Sequence, residues 1–503
     1  MSHRLLKIKD SNHIIPIFGV VMLGLAAKYV YRLYSSSKQK QRLNDPWYKE
    51  GFKDIPSPSE KYPYIGHMLS LGDNPSFQLE KLHQELGPIF RLQMGTQRWV
   101  LLSDPLLAHD LFVRNGINTS GRHPQKFSYK MYSKGGRGIV FSQPDKKWKN
   151  SRTVALMVLS SKFVDPLQKS IEDIAESTVL AVFGKTTQSP DDPFIRQIIR
   201  DTEKGNLLVG SSGNLTSFLP GLSWIEDLYH GNTREKLIEH RDQDLKKLIA
   251  DAVDGDVDCL AKQMMTFKDE YGLDDQDMLV ILSDLISAGE DTTSLSMSWL
   301  FGILPHYPDI QRKMCAEIDA IVTKYGRMPV FSDREEMPYI VAVLRENLRF
   351  RSSVNFSIPR YSTDDIEFHE YFIPKDTVLI TSMYTMHMRP ENFSEPEKFI
   401  PERFLDDMRT WSASANGAIE DRDMYAFGWG RRVCPGIYLA EVEIFNVMVR
   451  TLSRHTIEPG LDSFGNLVYC SMDTLDTHGI TFGPKDFTIR LVERKDSSLN
   501  YSS

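Results

Sequence analysis

Apolar residues recur at three- and four-residue spacing through most of residues 104–350, most regularly in 274–303 and 307–325, and that period predicts long helices there. Both ends read differently. Residues 89–103, IFRLQMGTQRWVLLS, are rich in β-branched and aromatic side chains around Gly95-Thr96, which predicts a hairpin, and strand patterns return at 366–382 and near 479–493. No unit of 20–50 residues repeats, and no Rossmann glycine fingerprint appears. The expected architecture is mainly α with small β-sheets.

Residues 14–27, IIPIFGVVMLGLAA, form an uncharged run that reaches about 18 residues if the Lys28 stem snorkels and Tyr29, Val30 and Tyr31 sit at the interface. That length spans a bilayer. A cleaved signal peptide is the competing reading, but no small-x-small cleavage site followed by a disulfide-rich chain supports it. Arg4, Lys7 and Lys9 precede the run, whereas Lys28, Arg32, Lys38, Lys40 and Arg42 follow it, so the positive-inside bias leaves the body cytosolic. Pro46, Pro56, Pro58 and Pro63 then interrupt any continuing helix. The expected division is an anchor with its flanks at 1–34, a basic, proline-containing linker at 35–63, and one large domain at 64–503.

The chain has 60 Lys plus Arg against 67 Asp plus Glu and no long basic block, so nothing asks for a nucleic-acid partner. Cys259, Cys315, Cys434 and Cys470 include no CxxC pair, which argues against a disulfide framework and a zinc cluster. HExxH and P-loop strings are absent. Sequons at Asn118, Asn214, Asn392 and Asn500 are expected to stay unused in this topology.

The strongest chemical signal is residues 427–436, FGWGRRVCPG, which place Phe427, Gly430, Arg432, Cys434 and Gly436 in the order F-x-x-G-x-R-x-C-x-G. A lone buried cysteine is ordinarily an inert core residue. A thiolate that ligates iron, however, has to be held deprotonated and dry, and glycines at 430 and 436 permit close backbone approach. A helix starting after Pro435 would aim its positive end at the sulfur. A second string, AGEDTT at 288–293, sets a small residue beside a hydroxyl and a carboxylate on one helix, which suits proton delivery, although a solvated surface also explains it.

Through these strings the chain resembles the cytochrome P450 superfamily of haem-thiolate monooxygenases, in particular membrane-anchored fungal microsomal members, over nearly all of its length after the linker. The resemblance implies haem b with Cys434 as axial ligand to the iron. Phe427 and Gly436 would frame the haem, and Trp148, Arg152, Arg360 and Arg432 would serve its propionates. Asp291 and Thr292 take the proton-relay role, with Glu290 at the variable position. Glu346 and Arg349 (E-x-x-R) with Arg403 (in PERF, 401–404) imply a buried structural network. Departures occur at Phe350-Arg351-Ser352-Ser353, where the family usually has a proline, and at His387-Met388-Arg389-Pro390.

Further expectations follow from the resemblance. The substrate walls should come from residues 123–141, Ser283 to Ser287, a strand at 354–358 and a turn at 477–480. There Phe127, Ile286, Phe356 and Ile480 suit a lipophilic substrate, and Asn355 and Ser357 could orient one polar group. Electrons would come from NADPH through NADPH-cytochrome P450 reductase, with cytochrome b5 as a second candidate partner, at the endoplasmic reticulum membrane. Lys146, Lys147, Lys149 and Arg431 form a candidate docking patch. Two rivals stay open: a haem-thiolate isomerase or dehydratase that needs no reductase, and a haem-binding sensor.

Overall fold

The computed structural model describes residues 45–495 apart from 73, 168–181, 184–192, 211–214, 223, 225–227, 229–230 and 478. The expected anchor and the start of the linker lie outside the described residues, as do Asn214 and Asn500. Among the described residues no helix is long and apolar enough to cross a membrane.

The longer helices are α1 (Pro75–Leu86), α2 (Lys146–Val158), α3 (Pro193–Val209), α4 (Thr233–Asp254), α5 (Leu260–Phe267), α6 (Asp275–Ile303), α7 (Pro308–Tyr325), α8 (Pro338–Phe350) and α9 (Ile437–Arg454). Helix α6 is the axis of the body. It starts where the periodicity predicts because Asp274 and Asp277 form a reciprocal cap, Asp277 N–H donating to Asp274 Oδ1 at 2.8 Å and Asp274 N–H to Asp277 Oδ2 at 2.9 Å. From Met278 to Ile286 every residue is buried, as in a helix enclosed on all sides. One core cluster joins α6 to side chains of α2, α4, α5, α7, α8 and α9. Pro308 and Pro338 open α7 and α8, and Gly326 closes α7 in the left-handed region at φ 64°.

The hairpin is as expected: β1 (Ile89–Met94) pairs antiparallel with β2 (Gln97–Leu102), Ile89 facing Leu102. The predicted strand at 366–382 is three pieces, β4 (Ile366–Phe368), β5 (Tyr371–Ile373) and β6 (Thr377–Thr381), because His369 and Asp376 adopt φ of 52° and 63° and turn the chain. With β3 (Arg360–Tyr361), a sheet of order β1-β2-β6-β3 forms, in which β2 and β6 run parallel. Smaller sheets join β7 (His455–Leu461), β8 (Leu467–Val468) and β11 (Ile489–Glu493), and β9 (Leu475–Thr477) with β10 (Phe482–Pro484). The expected strand at 354–358 is instead irregular chain with a single bridge, Phe356 to Ser382.

Residues 45–63, expected as linker, are packed on the body. Trp47 and Ile55 are buried among Ile89, Val100 and Leu379, the Arg91 guanidinium lies 4.9 Å from the Trp47 ring, and Arg91 N–H donates to the Pro56 carbonyl at 2.8 Å. The prolines keep this segment extended, and apolar side chains fasten it before Tyr64.

Candidate functional site

Cys434 stands three residues before the first residue of α9, with Gly436 as the residue that caps the helix. Its N–H donates to the Phe427 carbonyl at 2.9 Å, closing the loop on itself, and the Phe427 ring lies 5.9 Å from that of Trp411. Gly428 and Gly430 take φ of 75° and 52°, where a side chain is strained. At Gly430 a Cβ would also collide with the Phe112 carbonyl. That position is glycine because of the neighbouring helical turn at 110–114 as well as its conformation, a cause the sequence does not show. Burial pushes the Cys434 thiol up, opposed by the Gly436 N–H and the Arg152 charge. A bound metal ion removes such a proton outright.

Around the loop four guanidiniums converge: the expected Arg152, Arg360 and Arg432, and also Arg122. They are held by carbonyl oxygens. Arg432 donates to Ser120 and Ile139 at 3.0 Å and to Ser142 at 2.5 Å, and Arg122 donates to Val140, Ile358 and Pro359 at 2.7–2.8 Å. Arg152 bonds the Val433 carbonyl and Arg360 the Trp429 carbonyl, while Arg360 Nη1 is buried with no partner. No carboxylate of the described residues pairs with any of the four. Burial, then Arg122 and its neighbours, pushes Arg432 down to about 7; burial with Arg152 pushes Arg122 to about 9; Arg360 is lowered well below its ordinary value. Uncompensated cations at this density call for a dry anionic partner. The two propionate carboxylates of a haem, with Cys434 as the ligand to its iron, would fit this donor set.

Trp148 is placed differently from the expectation. Its indole N–H donates to the Ile139 carbonyl at 3.1 Å and its ring lies 4.3 Å from the Arg432 guanidinium, so it supports that arginine from beneath. The Ile139 loop is itself tethered to α6: Asp284 Oδ2 accepts from Ile139 and Val140 N–H at 2.7 and 3.2 Å, and burial pushes this acid up to about 7. A Cβ on Gly138, whose φ is 79°, would strike the same carboxylate. Asp284 was legible as the one charge in the apolar run 278–288.

At the centre of α6 the expected pair is not in mutual contact. Thr292 Oγ1 donates to the Ala288 carbonyl at 2.6 Å, a local back-bond. Asp291 is buried and its Oδ2 accepts from Thr481 Oγ1 at 2.5 Å and Asn206 Nδ2 at 3.2 Å. Ser287 Oγ in turn donates to Asn206 Oδ1 at 3.0 Å. Thus α3, α6 and the turn at 479–481 meet on one acid, through two residues that sequence reasoning passed over because neither lies near it in the chain. Glu290 has a buried Oε2 with no partner, and burial with Asp291 and Glu203 pushes it up to about 7.

Glu346, Arg349 and Arg403 come together at the C-terminal half of α8. Glu346, wholly buried, takes two bonds of 2.7 Å from Arg349, one of 2.8 Å from the Ile400 N–H, and an ion pair of 3.2 Å from Arg403. Arg349 also donates to the His387, Pro396 and Lys398 carbonyls, tying α8 to the chain ahead of PERF. The departing residues are anchored as well, Arg351 to the Met472 carbonyl and Ser353 to Phe482 N–H and Ser296.

Of the expected substrate walls, Phe127 and Ile286 are buried and Phe356 and Ile480 half-buried. Asn355 and Ser357 are spent elsewhere: Asn355 Nδ2 donates to Ser76 Oγ at 2.9 Å, and Ser357 Oγ accepts from Thr381 N–H at 2.9 Å. Within the basic patch Lys146 and Lys149 are exposed, but Lys147 is committed to Asp277 at 2.7 Å and Arg431 lies over Trp148 at 5.7 Å.

The family model for cytochrome P450 matches residues 56–202 and 212–466. The chain is 27% identical over 465 residues to cytochrome P450 1A1 of Oryctolagus cuniculus, covering 82% of this chain and 88% of that one. It is 27% identical over 475 residues to cytochrome P450 monooxygenase 58 of the fungus Postia placenta, covering 86% and 88%. A zebra fish cytochrome P450 structure with progesterone shares the fold at TM-score 0.69 and 23% identity, covering 84% of this chain and 99% of that one. Because the family match runs through both the cysteine loop and the centre of α6, where the geometry gathers its buried charges, the chain belongs to the cytochrome P450 family, haem b oxidoreductases of the monooxygenase class.

Proposed function

We propose that this protein is a membrane-anchored monooxygenase that hydroxylates a lipophilic small molecule of the steroid, terpenoid or other secondary-metabolite kind, with electrons passed from NADPH by a membrane-bound reductase. One observation carries it: a thiol at the start of a helix lies beside three buried guanidiniums, Arg122, Arg360 and Arg432, and a half-buried fourth, Arg152, that no carboxylate of the described chain neutralises. Bound haem b supplies the activation of dioxygen. Cys434 would ligate its iron, Arg122, Arg152, Arg360 and Arg432 would bind its propionates, and Phe427 and Gly436 would shape the loop. The apolar run at 14–27 and the basic excess after it support a single-pass anchor in the endoplasmic reticulum membrane with the body facing the cytosol. Steroids are a natural first set of ligands, since the zebra fish neighbour is described with progesterone. Purified protein should form product only when NADPH, reductase and oxygen are all present; product from an oxygenated lipid without reductase would make it an isomerase or dehydratase instead.

Asp291 and Thr292 serve proton delivery in this reading, Asp291 as the acid and Thr292 Oγ1 as the hydroxyl that would pass the proton on. Thr481 and Asn206 orient the acid. Thr292→Ala is expected to cut product formed per NADPH by at least about tenfold, with the remainder appearing as peroxide. Thr481→Val should move the same ratio in the same direction by less. Coupling that stays at the wild-type ratio in both variants removes the relay assignment.

Lys146 and Lys149 are the residues we assign to reductase contact, Lys147 being held by Asp277. Reversing both to Glu should slow reductase-driven turnover by roughly tenfold at low salt while peroxide-driven turnover is unchanged. Equal losses by both routes would show that the change damaged the body.

A further inference from the structure

Helices α3 and α4 pack on each other and on α6, and where they meet three metal-ligating side chains converge away from the haem site. Asp201 comes from α3, while His240 and Asp244, four residues apart, share one face of α4. One ligand atom from each lies within 4.8 Å of the others. His240 Nδ1 stands 2.7 Å from Asp201 Oδ2 and 3.8 Å from Asp244 Oδ2. Donors on a tetrahedral Zn²⁺ at about 2.0–2.1 Å sit about 3.3 Å apart, a spacing these two separations bracket, so small side-chain rotations complete three corners.

Two details favour a cation over a plain hydrogen-bonded pair. Asp201 is buried, and its second oxygen accepts from Gln197 Nε2 at 2.9 Å, which fixes the carboxylate plane with Oδ2 turned toward His240. Asp244 is directed at the same imidazole, its side chain only 20% exposed, yet its carboxylate accepts no hydrogen bond among the described residues. A histidine–aspartate hydrogen bond accounts for the first carboxylate, while the second meets the imidazole only as a longer ion pair of 3.8 Å. Access exists on two sides, because His240 is about half exposed and Asp201 and Asp244 also line a pocket with Tyr132, Thr202, Arg241 and Ser287. A water there supplies the fourth corner.

We propose that Asp201, His240 and Asp244 bind a borderline divalent transition metal such as Zn²⁺, and that the ion pins α3 to α4. One nitrogen and two oxygens suit Zn²⁺, Co²⁺ or Ni²⁺ and leave too few oxygens for Ca²⁺ or Mg²⁺. The pocket beneath the pin also carries Ser283, Ile286 and Ser287 of α6, so occupancy slows ligand entry toward the haem; this second claim rests on the substrate reading above, the binding claim does not.

The test uses the full chain loaded with haem, titrated calorimetrically with ZnCl₂ and separately with MgCl₂. Wild type should take up one Zn²⁺ and no Mg²⁺, with a rise in unfolding temperature that follows metal concentration. His240→Gln and Asp244→Asn, both on the accessible face of α4, should each weaken uptake at least about tenfold. Absence of uptake, or uptake that both variants leave unchanged, overturns the site. For the pin, the rate of the Soret shift after mixing with a lipophilic ligand should fall several-fold with Zn²⁺ in wild type and stay constant in His240→Gln; a rate indifferent to Zn²⁺ in wild type overturns the gating while the titration decides the site.

Discussion

Cys434→Ser is expected to abolish the long-wavelength Soret band of the reduced carbon-monoxide complex completely, with loss of turnover by reductase and by peroxide alike. A hydroxyl does not give up its proton to iron as a thiol does, and the supports that favour the sulfur anion, the Gly436 N–H, the Arg152 charge and the N-terminal end of α9, cannot make up the difference. The folded body should survive, because the substitution removes no large apolar surface. Far-ultraviolet circular dichroism and the absorption spectrum of haem-reconstituted protein separate the two effects. A variant that keeps the band would have its iron held by another residue, and the site as described would be wrong.

Glu346→Gln should cost about 3–5 kcal/mol of stability, since it leaves Arg349, buried to within 2% of full enclosure, without its counter-charge. The expected phenotype is faster transfer of haem to an acceptor protein together with a lower unfolding temperature, because the residue ties α8 to the chain at 396–403 that leads into the cysteine loop. Glu402→Ala offers the contrast. Its Lys313 partner is 54% exposed and the pair is screened, so the loss should stay below about 1 kcal/mol. If the two variants melt alike, the buried network has no special part in holding the haem.

Much of this was legible from the chain. Periodicity located α6 and α7 to within a residue or two, and the Phe427–Gly436 frame pointed to the thiol, because both depend on neighbours in sequence. Strand breaks at His369 and Asp376 were not legible, since both residue types enter the left-handed region more readily than most but do so at only a small share of their positions. Arg122, Asn206 and Thr481 were missed for a different reason: each reaches the site from a segment far from the motifs, and an isolated polar residue carries no spacing to read. Asp284 could have been found, because a carboxyl among leucines, isoleucines and valines has to be there for a partner. Lys147 shows the opposite error, a residue that a charge count assigns to the surface field and that an N-cap pair on α6 has already claimed.

The four arginines around the cysteine loop have a consequence for biogenesis. A newly made chain without its prosthetic group has to confine mutually repelling charges in a dry interior, and release of that repulsion comes only with the acidic edge of the porphyrin. Completion of the fold is therefore expected to follow haem supply, and the yield of folded protein in a heterologous host should rise when a porphyrin precursor is added.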